Sequence, residues 1–383
     1  MKIILAPDSF KGSLTSMEVA AAMEIGVKRV WPDAECVKIP MADGGEGTVQ
    51  SLLDAVGGEL INCTVTGPAG QPVAAAYGLL ADGTTAVLEM ATASGLALVD
   101  DTTRNPLLTT SYGTGELLYH ALEQGARKII LGIGGSATND AGVGMAQALG
   151  VVFRDGEGRA LSANGAGGML HNIEAVDMTG LHPALQQAQL LVACDVNNPL
   201  TGTDGAAHVF APQKGADAAM VQTLDANLKH LAGVLKRELG VDVDKTPGAG
   251  AAGGMGAGLL VFTGATLQRG IEIISKATSI ETHLRTADLV LTGEGRVDFQ
   301  TAFGKTPAGI ACLASAYEVP VVAIGGSLAD DAGSVFAHGI HGLEPAIARD
   351  MPLSEAMTHA EDYIANAAER VIRLIKIGQT WRH

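Results

Sequence analysis

The sequence is short of positive charge. Its 383 residues carry 25 Lys and Arg against 41 Asp and Glu, for a formal net charge of −16. No basic tract offsets that balance, which argues against non-specific nucleic-acid binding and against docking on an anionic membrane. Cysteine is scarce as well. Cys36, Cys63, Cys194 and Cys312 lie far apart and form no CxxC pair. That spacing supports neither a disulfide framework nor a structural zinc site, and a reduced cytoplasm is the expected compartment. Long apolar runs are missing too. Positions 248–267 are mostly Gly and Ala and read as a buried helix or loop rather than a membrane span. The opening run Lys2-Ile3-Ile4-Leu5-Ala6 meets Pro7 and Asp8 at once, too short for a signal-peptide core. Aromatics are only 4% of the chain, but 47% hydrophobic against 17% charged residues is too apolar a mix for disorder.

Glycine is what the chain has in excess. It counts 50 residues, about twice the usual usage. The glycines follow no three-residue period, so the chain is not collagen-like. Several of them sit in runs that adjoin expected strands, where a backbone without side chains can approach a ligand closely.

The chain opens in β-α-β order. A buried strand is expected over 2–6 and a helix from the capping box at Thr15 and Glu18 to Val30. A second strand follows over 36–39, then a loop at 44–47 and a helix over 49–56. This order argues for a parallel sheet flanked by helices. Three strand-like runs at 59–66, 72–80 and 84–90 then read as an antiparallel meander. Beyond them come a helix at 114–123, a strand at 128–132, and a helix from about Asp140 to Leu149. A hairpin is expected over 151–161, a strand over 190–194 and a long helix over 217–239. The βα alternation resumes with strands at 289–291 and 321–324, a helix at 307–316 and a C-terminal helix at 353–375. The expected fold class is α/β. A discontinuous flavodoxin- or Rossmann-like parallel-sheet domain (1–60 and 265–383) would carry an inserted mixed-sheet α/β domain (61–264), with the active site in the cleft between them.

Five segments carry chemistry. Ala6-Pro7-Asp8-Ser9-Phe10-Lys11-Gly12-Ser13 follows the first strand, the end that faces the ligand crevice of an open α/β sheet. Its carboxylate, hydroxyls and ammonium suit a hydroxy acid or a phosphate. Ala42-Asp43-Gly44-Gly45-Glu46-Gly47-Thr48 sets two acids among three glycines; Asp43 or Glu46 can hold Mg²⁺ or accept a hydroxyl proton. Gly132-Ile133-Gly134-Gly135-Ser136-Ala137-Thr138-Asn139-Asp140 joins a strand to a helix, so its N–H groups can cradle an anion. Its literal G-x-G-x-x-A match is weak, because Asp155 sits in an expected hairpin rather than at a strand end. Asp195 follows a strand and is flanked by Asn197 and Asn198. It can be a general base, a metal ligand or a residue that positions a carboxylate, with an Asx turn as the structural alternative. In Thr292-Gly293-Glu294-Gly295-Arg296-Val297-Asp298, a strand is expected to end in an acidic glycine loop. Gly304-Lys305-Thr306 beyond it resembles the end of a P-loop, but Phe299 stands where the first glycine should be. The histidines form no HExxH and no Ser-His-Asp arrangement.

In their ordered combination, these segments and Gly250-Ala251-Ala252-Gly253-Gly254 resemble the bacterial glycerate kinases of the glyoxylate and galactarate pathways. The likeness runs over nearly the whole chain. It implies two domains, one flavodoxin-like and one with a mixed sheet, and ATP-dependent phosphorylation of D-glycerate at the 2-hydroxyl. The residue roles rest on the chemistry of the side chains rather than on the resemblance: Mg²⁺ would be held through Glu294 or Asp298. Lys305, Lys11 and the loop residues Gly134, Gly135, Ser136, Thr138 and Asn139, with Gly293 and Gly295, would meet the nucleotide. Asp195 or Asp43 would accept the proton. Asp8, Ser9, Arg296, Asn197 and Asn198 would bind substrate, with Arg296 or Ser9 on its carboxylate. The expected partners are the small molecules alone, with no nucleic acid and no membrane, and a homodimer is among the assemblies left open. Transfer to the 3-hydroxyl, a nucleotide-dependent hydroxy-acid oxidoreductase and a glycerate-binding sensor are the alternatives.

Overall fold

The computed structural model describes residues 1–162, 164–303 and 305–380. Gly304, part of the P-loop-like run, lies outside them. Along the described chain the strands are β1 (Lys2–Leu5), β2 (Glu35–Lys38), β3 (Gly58–Thr66), β4 (Pro72–Leu80), β5 (Thr85–Glu89), β6 (Lys128–Gly132), β7 (Val152–Arg154), β8 (Ala175–Asp177), β9 (Gln189–Ala193), β10 (Thr266–Gln268), β11 (Leu289–Val297), β12 (Val321–Leu328) and β13 (Gly342–Pro345). The chain divides into two compact units. One comprises Met1–Asp43, Gln50–Gly57 and the chain from Ile271 onward; the other comprises Gly44–Val49 and Gly58–Gly270.

The first unit is built on a five-stranded sheet in the order β13-β12-β11-β1-β2. Every pairing in it is parallel. Counted within the unit, this is the flavodoxin-like order 2-1-3-4-5, whose connections reverse direction between β1 and β11. Ile3, Ile4 and Leu5 are wholly buried, as an interior parallel strand covered on both faces requires. The helix Ser16–Val30 starts at the expected capping box and packs against the helix Ala360–Thr380. A Cβ at Gly26 would run into the Ala365 carbonyl, so glycine lets these two helices approach closely.

The second unit holds a six-stranded sheet in the order β10-β9-β6-β5-β4-β3. β10, β9, β6 and β5 run parallel, and β4 and β3 extend the sheet antiparallel, so the meander and the mixed sheet both form. The helices Tyr112–Glu123, Val143–Ala148, Ala218–Leu239 and Ala251–Thr263 supply much of its core. Phe153 and Phe262 meet edge to face there, with ring centroids 5.6 Å apart.

Three expectations change. β11 does not end at Leu291 in a glycine loop; it runs on to Val297, in register with β12 as far as Leu328. A Cβ at Gly293 would strike the Ile324 carbonyl, so this glycine serves the close approach of two strands. The helix expected from Asp140 starts only at Val143, because Ala141 (φ 50°) and Gly142 (φ 71°) are left-handed. The 151–161 hairpin forms as expected, with Asp155 N donating to Arg159 O at 3.0 Å and Leu161 N to Phe153 O at 2.8 Å, and β7 also pairs with β8. The C-terminal helix is two helices, Leu353–Thr358 and Ala360–Thr380, broken at His359. No helix among the described residues is long and apolar enough to cross a membrane.

Candidate active site

In the first unit, the carboxyl end of β1 meets the middle of β11 at the point where the strand order reverses. The Asp8 N–H donates to the Gly293 carbonyl at 2.8 Å, which extends the pairing one step beyond β1. The Asp8 carboxylate accepts from Ser9 N at 2.6 Å and from Thr306 Oγ1 at 2.8 Å. Burial, and then the negative charges of Asp43 and Glu294, push its pKa up to about 7. The Thr306 and Ser9 hydrogen bonds pull the other way.

Glu294, buried on β11, accepts from Thr301 Oγ1 at 2.6 Å and from Lys305 Nζ at 3.3 Å. Burial raises its pKa, while Thr301 and Lys305 oppose the rise. Lys305 and Thr306 open the helix Thr306–Ser315, whose first turn holds Pro307. The cluster thus joins two acids, two hydroxyls, an ammonium and a helix N-terminus, a set that suits an anionic ligand.

The other sequence candidates of this unit stand differently. Asp298 accepts from Gln300 N at 2.9 Å and so shapes the turn Phe299–Phe303; Arg296 reaches it only at 3.8 Å and is exposed. Lys11 is exposed. Gly293 and Gly295 belong to a strand rather than a loop. No group of three or more His, Cys, Asp and Glu among the described residues has a metal-holding arrangement. Mg²⁺ does not need one, since it is commonly held by one or two carboxylates together with phosphates and water.

In the second unit, β6 runs into the glycine loop. Gly134 and Gly135 are exposed, whereas Ser136 to Asp140 are buried. The loop is held by Leu96 N to Gly135 O at 2.8 Å and Ala137 N to Ser94 O at 2.9 Å. Thr109 Oγ1 donates to Ala137 O at 2.8 Å. Lys214 Nζ donates to Ser136 Oγ at 2.7 Å and to Thr138 O at 2.6 Å. Asp140 closes the loop by accepting from Ser111 N and Oγ at 2.9 and 2.7 Å and from Gly142 N at 3.2 Å. The loop lies on a left-handed turn at Ala252, Gly253 and Gly254, and Ala141 N donates to Gly253 O at 3.1 Å.

Asp195 is exposed past the end of β9 and accepts from Gly270 N at 3.2 Å. Asn197 beside it is exposed, while Asn198 Nδ2 donates to Asp204 O at 2.8 Å, a turn-forming bond. Sequence reasoning missed Thr301 and Lys214, and it gave Thr306 of the P-loop-like run no role of its own. The Lys-Thr-Pro start of a helix was a usable signal for Thr306. Nothing in Pro212-Gln213-Lys214-Gly215 distinguishes a buried lysine from a solvated one.

Fold and cluster together define a two-unit α/β protein with a polar side-chain cluster at the strand-order reversal of its first unit. The family model described as the glycerate kinase family matches residues 3–376. A glycerate kinase from Bacillus subtilis (strain 168) is 50% identical over 380 residues, which is 99% of each chain. A glycerate 2-kinase from Escherichia coli (strain K12) is 50% identical over 378 residues, again 99% of each. The crystal structure of a candidate glycerate kinase 2 from Salmonella typhimurium LT2 superposes with a TM-score of 0.91 at 47% identity and 99% coverage of both chains. The chain belongs to the glycerate kinase family, and it is a kinase.

Proposed function

We propose that the protein transfers the γ-phosphoryl group of ATP to the 2-hydroxyl of D-glycerate, giving 2-phosphoglycerate and ADP. The relative from Escherichia coli named glycerate 2-kinase supports the choice of hydroxyl. The observation that carries the reading is the Asp8, Glu294, Lys305 and Thr306 cluster at the strand-order reversal. Phosphoryl transfer asks mainly for positioning and for charge neutralisation, and this cluster offers both.

Asp8 is the better-tuned proton acceptor, since a general base works best with a pKa near the working pH and its pKa is about 7. Asp43 then acts as the charge that helps to tune it. Asp195 is left to orient substrate with Asn197. Lys305 neutralises the transferring phosphoryl group, and loop 134–139 cradles nucleotide phosphates on its exposed glycines. Mg²⁺ arrives with ATP as part of the substrate, and Glu294 is a carboxylate of the kind it takes. Four unpaired cysteines are in keeping with a cytoplasmic location.

Purified protein with D-glycerate and Mg-ATP tests the reading. ADP must form only with both substrates present, and Lys305→Ala must lower kcat by at least ~100-fold. No ADP from the wild-type protein contradicts it. Asp8→Asn and Asp195→Asn separate the candidate bases, because only the loss of the true base removes the pH-dependent step.

A further inference from the structure

We propose that Lys214 is a positioning residue for loop 134–139: its ammonium ties the Ser136 hydroxyl to the Thr138 carbonyl and holds the loop in the shape that receives nucleotide phosphates. The proposal rests on the reading of this loop as the phosphate cradle.

Lys214 is 1% exposed, among the largest side chains of the molecule to be fully buried. An ammonium in that position is costly unless its protons are used. Two of them are, at 2.7 Å to Ser136 Oγ and 2.6 Å to Thr138 O. Burial pulls its pKa down to about 7, and the charge of Asp140 opposes the fall.

The backbone that delivers Lys214 is itself fixed. It ends the 3-10 turn Pro212–Lys214, with Lys214 N donating to Ala211 O at 2.9 Å and Gly215 N to Pro212 O at 3.0 Å. Gly215 is left-handed at φ +95°, and a Cβ there would run into the Arg104 carbonyl. A rigid turn more than 70 residues away in sequence therefore aims one charged group at two points of the loop.

Thr138 Oγ1 and both side-chain polar atoms of Asn139 are buried without a hydrogen-bond partner. Removing the ammonium would take away the donor that Ser136 Oγ and Thr138 O share. Lys214 itself is too deeply buried to touch substrate, so its effect is exerted through the loop.

The test compares Lys214→Met with Gly135→Ala, which disturbs the loop directly at a φ of +72°. Steady-state kinetics are read with each substrate varied in turn. Lys214→Met should raise the KM for Mg-ATP by at least ~10-fold and leave the KM for glycerate within ~2-fold. A rise in the ATP KM for Gly135→Ala with none for Lys214→Met overturns the positioning role and spares the loop reading. No rise in either variant overturns the loop reading, and the inference with it. Equal rises in both KM values mark a general structural role and also overturn it. Should Lys214→Met fail to fold, Ser136→Ala keeps the lysine and removes one of its acceptors. That variant should raise the ATP KM alone by ~3-fold, and an unchanged value overturns the proposal.

Discussion

Thr306 Oγ1 donates a 2.8 Å hydrogen bond to Asp8 Oδ2, joining the first residue of a helix to the end of the first strand across a separation of 298 residues. The bond favours the ionised carboxylate and so restrains the rise that burial imposes on Asp8. Thr306→Val removes the donor and keeps the shape. The acid limb of the kcat/KM profile should then move to higher pH, by roughly half to one unit. An unmoved limb would show that Asp8 is not the group that titrates.

Asp8 also links activity to stability. Its folded pKa of about 7 lies above the ordinary aspartate value of 3.8. The stability it contributes is therefore fully present below about pH 4 and is lost as the pH rises through about 7. Asp8→Asn carries no such dependence. Its melting temperature relative to wild type should improve between about pH 5 and pH 8, while kcat falls at least ~100-fold. A melting difference that stays constant with pH contradicts the burial of a carboxylate that titrates near neutrality.

Gly253 is left-handed at φ +74°, and a Cβ on it would collide with the Thr138 carbonyl. Gly253→Ala should cost roughly 2 kcal/mol or more in urea unfolding, from backbone strain and the clash together. A loss below about half a kcal/mol would mean that the turn and the loop it supports relax without penalty.

The α/β class and its two sheet types were legible in the sequence. Continuous apolar runs such as Ile3-Ile4-Leu5 declare an interior parallel strand. The capping box at Thr15 and Glu18 marks a helix start that the structure reproduces. Local patterns failed where tertiary pairing decides the outcome. Thr292-Gly293-Glu294-Gly295 has the composition of a loop, but pairing with β12 makes it a strand. β10 and β13 are three and four residues long, too short to show any period. In the site, Asp8, Glu294 and Lys305 were visible as polar residues at expected strand and helix ends. Thr301 and Lys214 were not, because each gains its role from a partner that only the fold supplies.

Phosphorus NMR of a single reaction mixture tests the proposed phosphoryl transfer to the 2-hydroxyl of D-glycerate. With D-glycerate and Mg-ATP, 2-phosphoglycerate and ADP should appear in matched amounts. Formation of 3-phosphoglycerate would contradict the assigned hydroxyl, and an unchanged ATP spectrum would contradict the transfer itself.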